Sequence, residues 1–272
     1  MKNTYQLKIP KELEQYRSGF KNSVKPYIKV FGTQAETMLF ESDFGGYPYL
    51  PLNHDHPKDS NGQAMMLLTQ LNFEDIPHIE FMPTKGLLQF FISAEDELFG
   101  ADFEQPTTQK DFRIIYHPEI TQDSTKIITD FSYLNPLNLE EFIIPEAAKL
   151  TFELDYQPVS ARDYRFEKIF QDNIYLEKII NDKNEILELS DLYDEHYDGE
   201  GHKIGGYLFF TQTDPRDWGE ELLEHNVLLL QIDTDDALNI MWGDAGVANF
   251  FIREKDLINL DFSNVVYNWD CY

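Results

Sequence analysis

The chain of 272 residues holds a single cysteine, Cys271, so no intrachain disulfide can form. A lone thiol at a chain end also lacks the clustered Cys and His spacing of a zinc site, and a reducing compartment is the expectation. Long apolar runs are missing too. No segment approaches the roughly 20 apolar residues that a membrane helix needs. Met1 to Pro10 starts with a basic residue but has no apolar segment after it, so it does not read as a signal peptide. Cationic residues are scarce: 22 Lys and Arg stand against 49 Asp and Glu, a formal net charge of −27. That field opposes a phosphate backbone, and no nucleic-acid ligand is expected. It accords with a basic protein partner or a bound cation, but the preferred reading is a surface whose carboxylates keep the protein dispersed. The prediction is a cytoplasmic protein with no membrane anchor.

Aromatic residues are plentiful. The 21 Phe and 15 Tyr, within an apolar share of 42%, argue for a folded core despite the charge. A chain of this length buries about 75% of its unfolded surface. Part of the sequence also repeats. Gly86-Leu87-Leu88-Gln89-Phe90-Phe91-Ile92 can be laid over Gly246-Val247-Ala248-Asn249-Phe250-Phe251-Ile252, 160 residues later. Phe44-Gly45-Gly46-Tyr47 falls over Ile204-Gly205-Gly206-Tyr207 at the same spacing, and Leu68 to Asn72 over Leu229 to Asp233 at 161. Three blocks in one order at a nearly constant spacing point to an internal duplication. The period is far beyond that of a solenoid, so two fused modules related by a pseudo-two-fold axis are expected, with any shared cleft near that axis.

Local patterns fill in the elements. Pro10 followed by Glu12 and Glu14 predicts a short N-terminal helix ended by Gly19. Strands are expected at 27–31, 37–40, 65–71, 87–92, 112–116, 126–131 and 149–156, where β-branched and aromatic residues cluster between Gly, Pro and Asn. Phe44 to Pro51, with two glycines beside two prolines, reads as an ordered loop. Between about 161 and 195 the apolar spacing lengthens through Tyr164, Ile169, Tyr175, Leu176, Ile179, Ile180 and Leu187, which predicts one or two helices. Asp191 to Gly201 then reads as an acidic linker. Strands at 227–232, 250–252 and 265–267 follow, with a helical turn at 253–257. The expected fold is α+β and β-dominated, with mostly antiparallel sheets and helices in the middle and at the N-terminus. It forms one compact domain over 1–272, with a first module at 24–135, a helical connector at 136–200 and a second module at 201–272.

Phe44 to Pro51, Leu68-Thr69-Gln70-Leu71-Asn72, Gly86 to Phe91, Trp242-Gly243-Asp244-Ala245-Gly246 and the terminal Asp270-Cys271 together resemble the YwqG-like family of bacterial proteins. Asn53-His54-Asp55-His56-Pro57 departs from the aromatic-Pro pair expected there. The resemblance implies an uncharacterised cytoplasmic family without an established activity, sometimes encoded near secreted-toxin systems.

No motif identifies a reaction. His54, Asp55 and His56 near Asp59 could gather around a metal, yet Asp55 of an extended segment faces away from both imidazoles, so a solvated loop is preferred and no metal or cofactor is expected. Asp194 to Glu200 lacks the spacing of a calcium loop. Asp244 could act as a base or cation ligand beside Trp242, or simply bond its own turn. Gln70 with Gln231, and Gln89 with Asn249, interrupt apolar strands at matching places, where an unbonded amide would cost about 1–3 kcal/mol. They bond to loop backbone, or they line a cleft with Tyr47 and Trp242. A non-enzymatic binding protein for a protein partner or small ligand is the leading expectation; the alternative is a carboxylate- or metal-dependent hydrolase acting between the repeats.

Overall fold

A computed structural model describes residues 7–134, 142–170, 178–180 and 186–272. The described chain begins with a 3₁₀ turn at Lys11–Tyr16 that runs into helix α1, Arg17–Ser23. Gly19 does not end this helix but lies inside it, where a Cβ would come within 2.8 Å of the Phe170 ring. Close packing explains that glycine.

Ten strands make one antiparallel sheet: β1 (Lys25–Gln34), β2 (Asp43–Phe44), β3 (Met66–Asn72), β4 (Leu87–Ile92), β5 (Phe112–His117), β6 (Ala148–Gln157), β9 (Lys203–Gly205), β10 (Val227–Asp233), β11 (Val247–Ile252) and β12 (Val265–Asp270). Two further strands, β7 (Lys178–Ile180) and β8 (Ile186–Glu188), form a separate hairpin. The order across the sheet is β12-β11-β10-β9-β1-β6-β2-β3-β4-β5. Outward from the central β1–β6 pair, each direction meets a short strand and then three longer ones. Thus β1 pairs with β9, and β6 comes between β1 and its neighbour in sequence, β2.

The matching segments take up matching local structure. Register shifts fall between Leu67 and Thr69 in β3 and between Leu228 and Leu230 in β10. Gly45 and Gly46 have φ of 64° and 73°, and Gly205 and Gly206 have 74° and 71°, a left-handed pair that glycine adopts at little cost. The sheet curls. Phe90 of β4 and Phe250 of β11 lie far apart in strand order, yet their rings meet edge to face at 4.9 Å. Phe112 and Tyr267, on the two outermost strands, stand 5.2 Å apart. The principal core fills the inside of that curl, and a second cluster joins α1 to helices α2 (Phe166–Phe170) and α3 (Leu189–Tyr197) through Phe20, Phe166, Phe170 and Tyr193.

Several local expectations are corrected. Residues 37–40 form no strand, and 39–40 lie in a turn whose carbonyls are taken by side chains: Gln70 Nε2 donates to Leu39 O and Asn72 Nδ2 to Phe40 O. Residues 126–131 supply only an isolated bridge from Ile127 to Pro51. The span 161–195 is not continuous helix. Ile179, Ile180 and Leu187 belong to the β7–β8 hairpin, while Tyr175 and Leu176 lie outside the described residues. The region 136–200 therefore contains β6 and a hairpin besides its helices, and the acidic stretch from Asp191 is mostly α3, held down by buried Leu189 and Tyr193. The helical turn after β11 is present as α4, Glu254–Ile258. Among the described residues no helix is long and apolar enough to cross a membrane.

Candidate functional site

The four repeated amides are fully buried, and each donates to backbone, though Asn249 Oδ1 is left without a partner among the described residues. Gln70 Oε1 accepts from Tyr49 N at 3.1 Å, and Nε2 donates to Leu39 O and Glu41 O at 3.2 and 2.9 Å. Gln231 Oε1 accepts from Phe209 N at 2.8 Å, and its Nε2 donates to Gly199 O and Gly201 O at 3.0 and 2.8 Å. Each backbone partner lies 160 residues after its counterpart. Gln89 Nε2 donates to Tyr49 O at 2.8 Å and Asn249 Nδ2 to Phe209 O at 2.9 Å. These side chains staple the loops on both sides of each double glycine to the sheet. Trp242 is fully buried between Phe99 and Trp269, and Tyr47 is half exposed and stacks on Phe131 at 4.9 Å. Asp244 is exposed, and its carbonyl accepts from Tyr272 N at 3.2 Å.

The His54-Asp55-His56 loop does not gather donors. Both His56 nitrogens are engaged, Nδ1 with Tyr133 Oη at 2.9 Å and Nε2 with Met65 O at 2.7 Å. The His54 ring lies 5.2 Å from that of His117. Among the described residues no group of three or more His, Cys, Asp or Glu is arranged to hold a metal ion. His117 is buried, and its Nε2–H donates to Gln89 Oε1 at 2.9 Å. Burial, with the nearby His54, lowers its pKa from 6.5 to about 4. Below pH 6.5 the unfolded chain then takes up a proton that the folded chain refuses, so stability is lost as pH falls toward 4. We expect urea titrations between neutral pH and about pH 4.5 to show His117→Gln losing roughly 2–3 kcal/mol less than the parent over that interval.

A polar hollow lies elsewhere, on the outer face of the sheet's centre, with a volume near 460 Å³. Alternation along β1 turns Tyr27 and Lys29 to one face, and β6 sends Asp155 and Gln157 to meet them, with Tyr27 directly opposite Asp155. Lys29 Nζ reaches Asp155 Oδ2 at 2.5 Å, and Tyr27 Oη donates to the same oxygen at 3.5 Å. From β9 comes Lys203, only 1% exposed. Its amine donates to Gly199 O and, at 3.4 Å, to Gln157 Oε1, and sits 5.4 Å from the centre of the Tyr27 ring. Burial lowers its pKa to about 8; Asp198 and Asp233 oppose that shift and Lys29 adds to it. The far wall is the end of α3 and the following loop, His196 to Glu200, with Tyr197 Oη donating to Lys8 O.

None of the seven ligand-binding candidates expected from the sequence lines this cleft. Gln231 comes nearest, since the carbonyls it holds at Gly199 and Gly201 fix the loop of the far wall. Sequence reasoning missed Tyr27, Lys29, Asp155 and Lys203. One signal was available: Lys203 is a charge two residues before the first glycine of a double glycine.

The fold and site define a β-dominated protein whose curled antiparallel sheet carries a polar cleft across its central strands. The chain belongs to the family described as a domain of unknown function, DUF1963, whose model matches residues 42–271. No curated protein matches it.

Proposed function

We propose that this chain is two copies of one sheet-forming unit, fused and interlocked, and that it works as a binding protein rather than as an enzyme. Support for the copies comes from the amides of Gln70 and Gln231, which hold backbone partners at one constant spacing. The binding site is the cleft over β1, β6 and β9. One observation carries this: the hollow opens at the centre of the strand order, where β1 lies between β6 and the short strand β9, so both halves build it. A hollow of this size, mixing tyrosine rings with a few fixed charges, suits a small polar ligand or a side chain of a protein partner. The secreted-toxin association implied by the resemblance belongs to the same proposal, as one source of a protein partner.

Methyl- and tyrosine-detected NMR against a chemically diverse fragment library tests the site. The expected result is that hits shift Tyr27, Tyr156 and Tyr197 together. Hits that shift only residues distant from the cleft would assign binding elsewhere.

A further inference from the structure

Resting on the cleft as the binding site, the geometry points to its ligand class: a group bearing an alkylammonium, carried on a chain long enough to enter a second hollow beside the first. Three lysines line the cleft, Lys8, Lys29 and Lys203, and one of them is enclosed. Lys203 places its amine over the face of Tyr27, an arrangement in which a ring quadrupole attracts a cation. That internal amine shows which charge this hollow accommodates when enclosed.

The surrounding charges leave room for another. Lys29 is matched by Asp155, and across the two hollows the remaining lining charges are Lys8 and Lys203 against Asp198, Glu200, Asp233 and Asp235, an excess of two carboxylates. Asp198 Oδ1 accepts from Glu200 N, and Asp233 Oδ2 accepts from Gly201 N at 2.7 Å, so both carboxylates are fixed in place. Burial and mutual repulsion raise the pKa of Glu200. A second cation relieves that crowding. The neighbouring hollow, near 410 Å³, shares Tyr27, Lys29 and Glu200 with the first and adds Asp233 and Asp235. A ligand with two positive groups, or with successive basic side chains, can span the pair. The net charge of −27 draws such a ligand from a distance.

Two sources share this chemistry, a free polyamine and a lysine-rich segment of a protein. Spermidine and a capped lysine-rich peptide serve as probes, measured by calorimetry and tyrosine-detected NMR at about 0.15 M salt. Glu200→Gln changes the overall charge only from −27 to −26, so diffuse attraction stays almost unaltered while the site loses a carboxylate. The expected result is that at least one probe shifts Tyr27 and Tyr197, and that Glu200→Gln weakens its binding about tenfold. The probe that binds more tightly identifies the source. Equal affinity for parent and variant, or equal affinity for a fully N-acetylated spermidine, would overturn the ammonium assignment. If neutral or anionic fragments occupy the cleft and neither amine does, the binding site stands and this ligand class falls. If no compound of any charge shifts the cleft tyrosines, both fail.

Discussion

A chain shortened to residues 42–272 is expected to remain unfolded, even though it retains the entire family match. The match begins after β1 ends at Gln34, yet β1 lies in the middle of the sheet. Ten of its residues are in register with β6 and three with β9. The deleted segment also takes away Leu13, Phe20, Ile28 and Val30, none more than 3% exposed. At about 1.5–3 kcal/mol for each buried side chain, that loss alone is roughly 6–12 kcal/mol, as large as the whole stability of a typical domain. Strands β6 and β9 would become raw edges facing each other across a missing strand, a form prone to aggregation. Far-UV circular dichroism with thermal melting reads the outcome: no cooperative transition for 42–272, and a regained transition when a peptide of residues 1–41 is added. A cooperative melt of the short chain by itself would show that β1 is dispensable.

The same strand marks the limit of what could be read from the sequence. Strands β3, β4, β10 and β11 were legible because their apolar runs, punctuated by Gly86 and Gly246, state a local demand for burial. The repeated glutamines were legible for a related reason: an amide in such a run must find a partner, and loop carbonyls were the nearest candidates. The exchange that seats β6 between β1 and β2 was not legible. It depends on pairing between residues more than a hundred positions apart, and Lys25 to Phe31 shares no evident pattern with Ala148 to Leu154. The cleft arises from that exchange, so its residues were hidden with it. Lys29 and Asp155 looked like ordinary exposed charges on alternating strands, and only the register makes them a pair. In the middle, Ile179, Ile180 and Leu187 fitted a helical spacing that a short hairpin satisfies equally well.

Arg216→Ala is expected to cost about 3–5 kcal/mol, the penalty for leaving buried charges without their partner. Arg216 is 1% exposed and follows Asp214-Pro215 at the start of a 3₁₀ turn, Pro215–Trp218. Its Nε and Nη2 donate to the two oxygens of Asp214 at 2.9 and 2.6 Å, and Nη2 also reaches Asp163 Oδ2 at 3.2 Å. The guanidinium lies 4.4 Å from the Phe251 ring centre and 4.7 Å from that of Tyr164. Asp163 receives two more bonds from the Arg165 side chain, at 2.6 and 2.5 Å, and one from its backbone N–H at 3.0 Å. Burial pushes its carboxyl up, but the bonds from Arg165 and the two guanidinium charges outweigh that and hold it near 2. This network ties the segment before α2 to the outer face of β11. Alanine removes the partner of Asp214 and half the charge that steadies Asp163. Arg216→Lys should recover little, since an ammonium supplies neither the two-pronged fork nor the flat face against Phe251. The pH dependence identifies the cause. In Arg216→Ala an orphaned carboxyl has a raised pKa in the folded state, so lowering the pH protonates it and shrinks the deficit. Urea unfolding at pH 7 and near pH 5 should therefore show a gap from the parent that narrows in acid. A variant within about 1 kcal/mol of the parent at pH 7, or a gap that widens in acid, would mean that the buried carboxylates do not depend on this arginine.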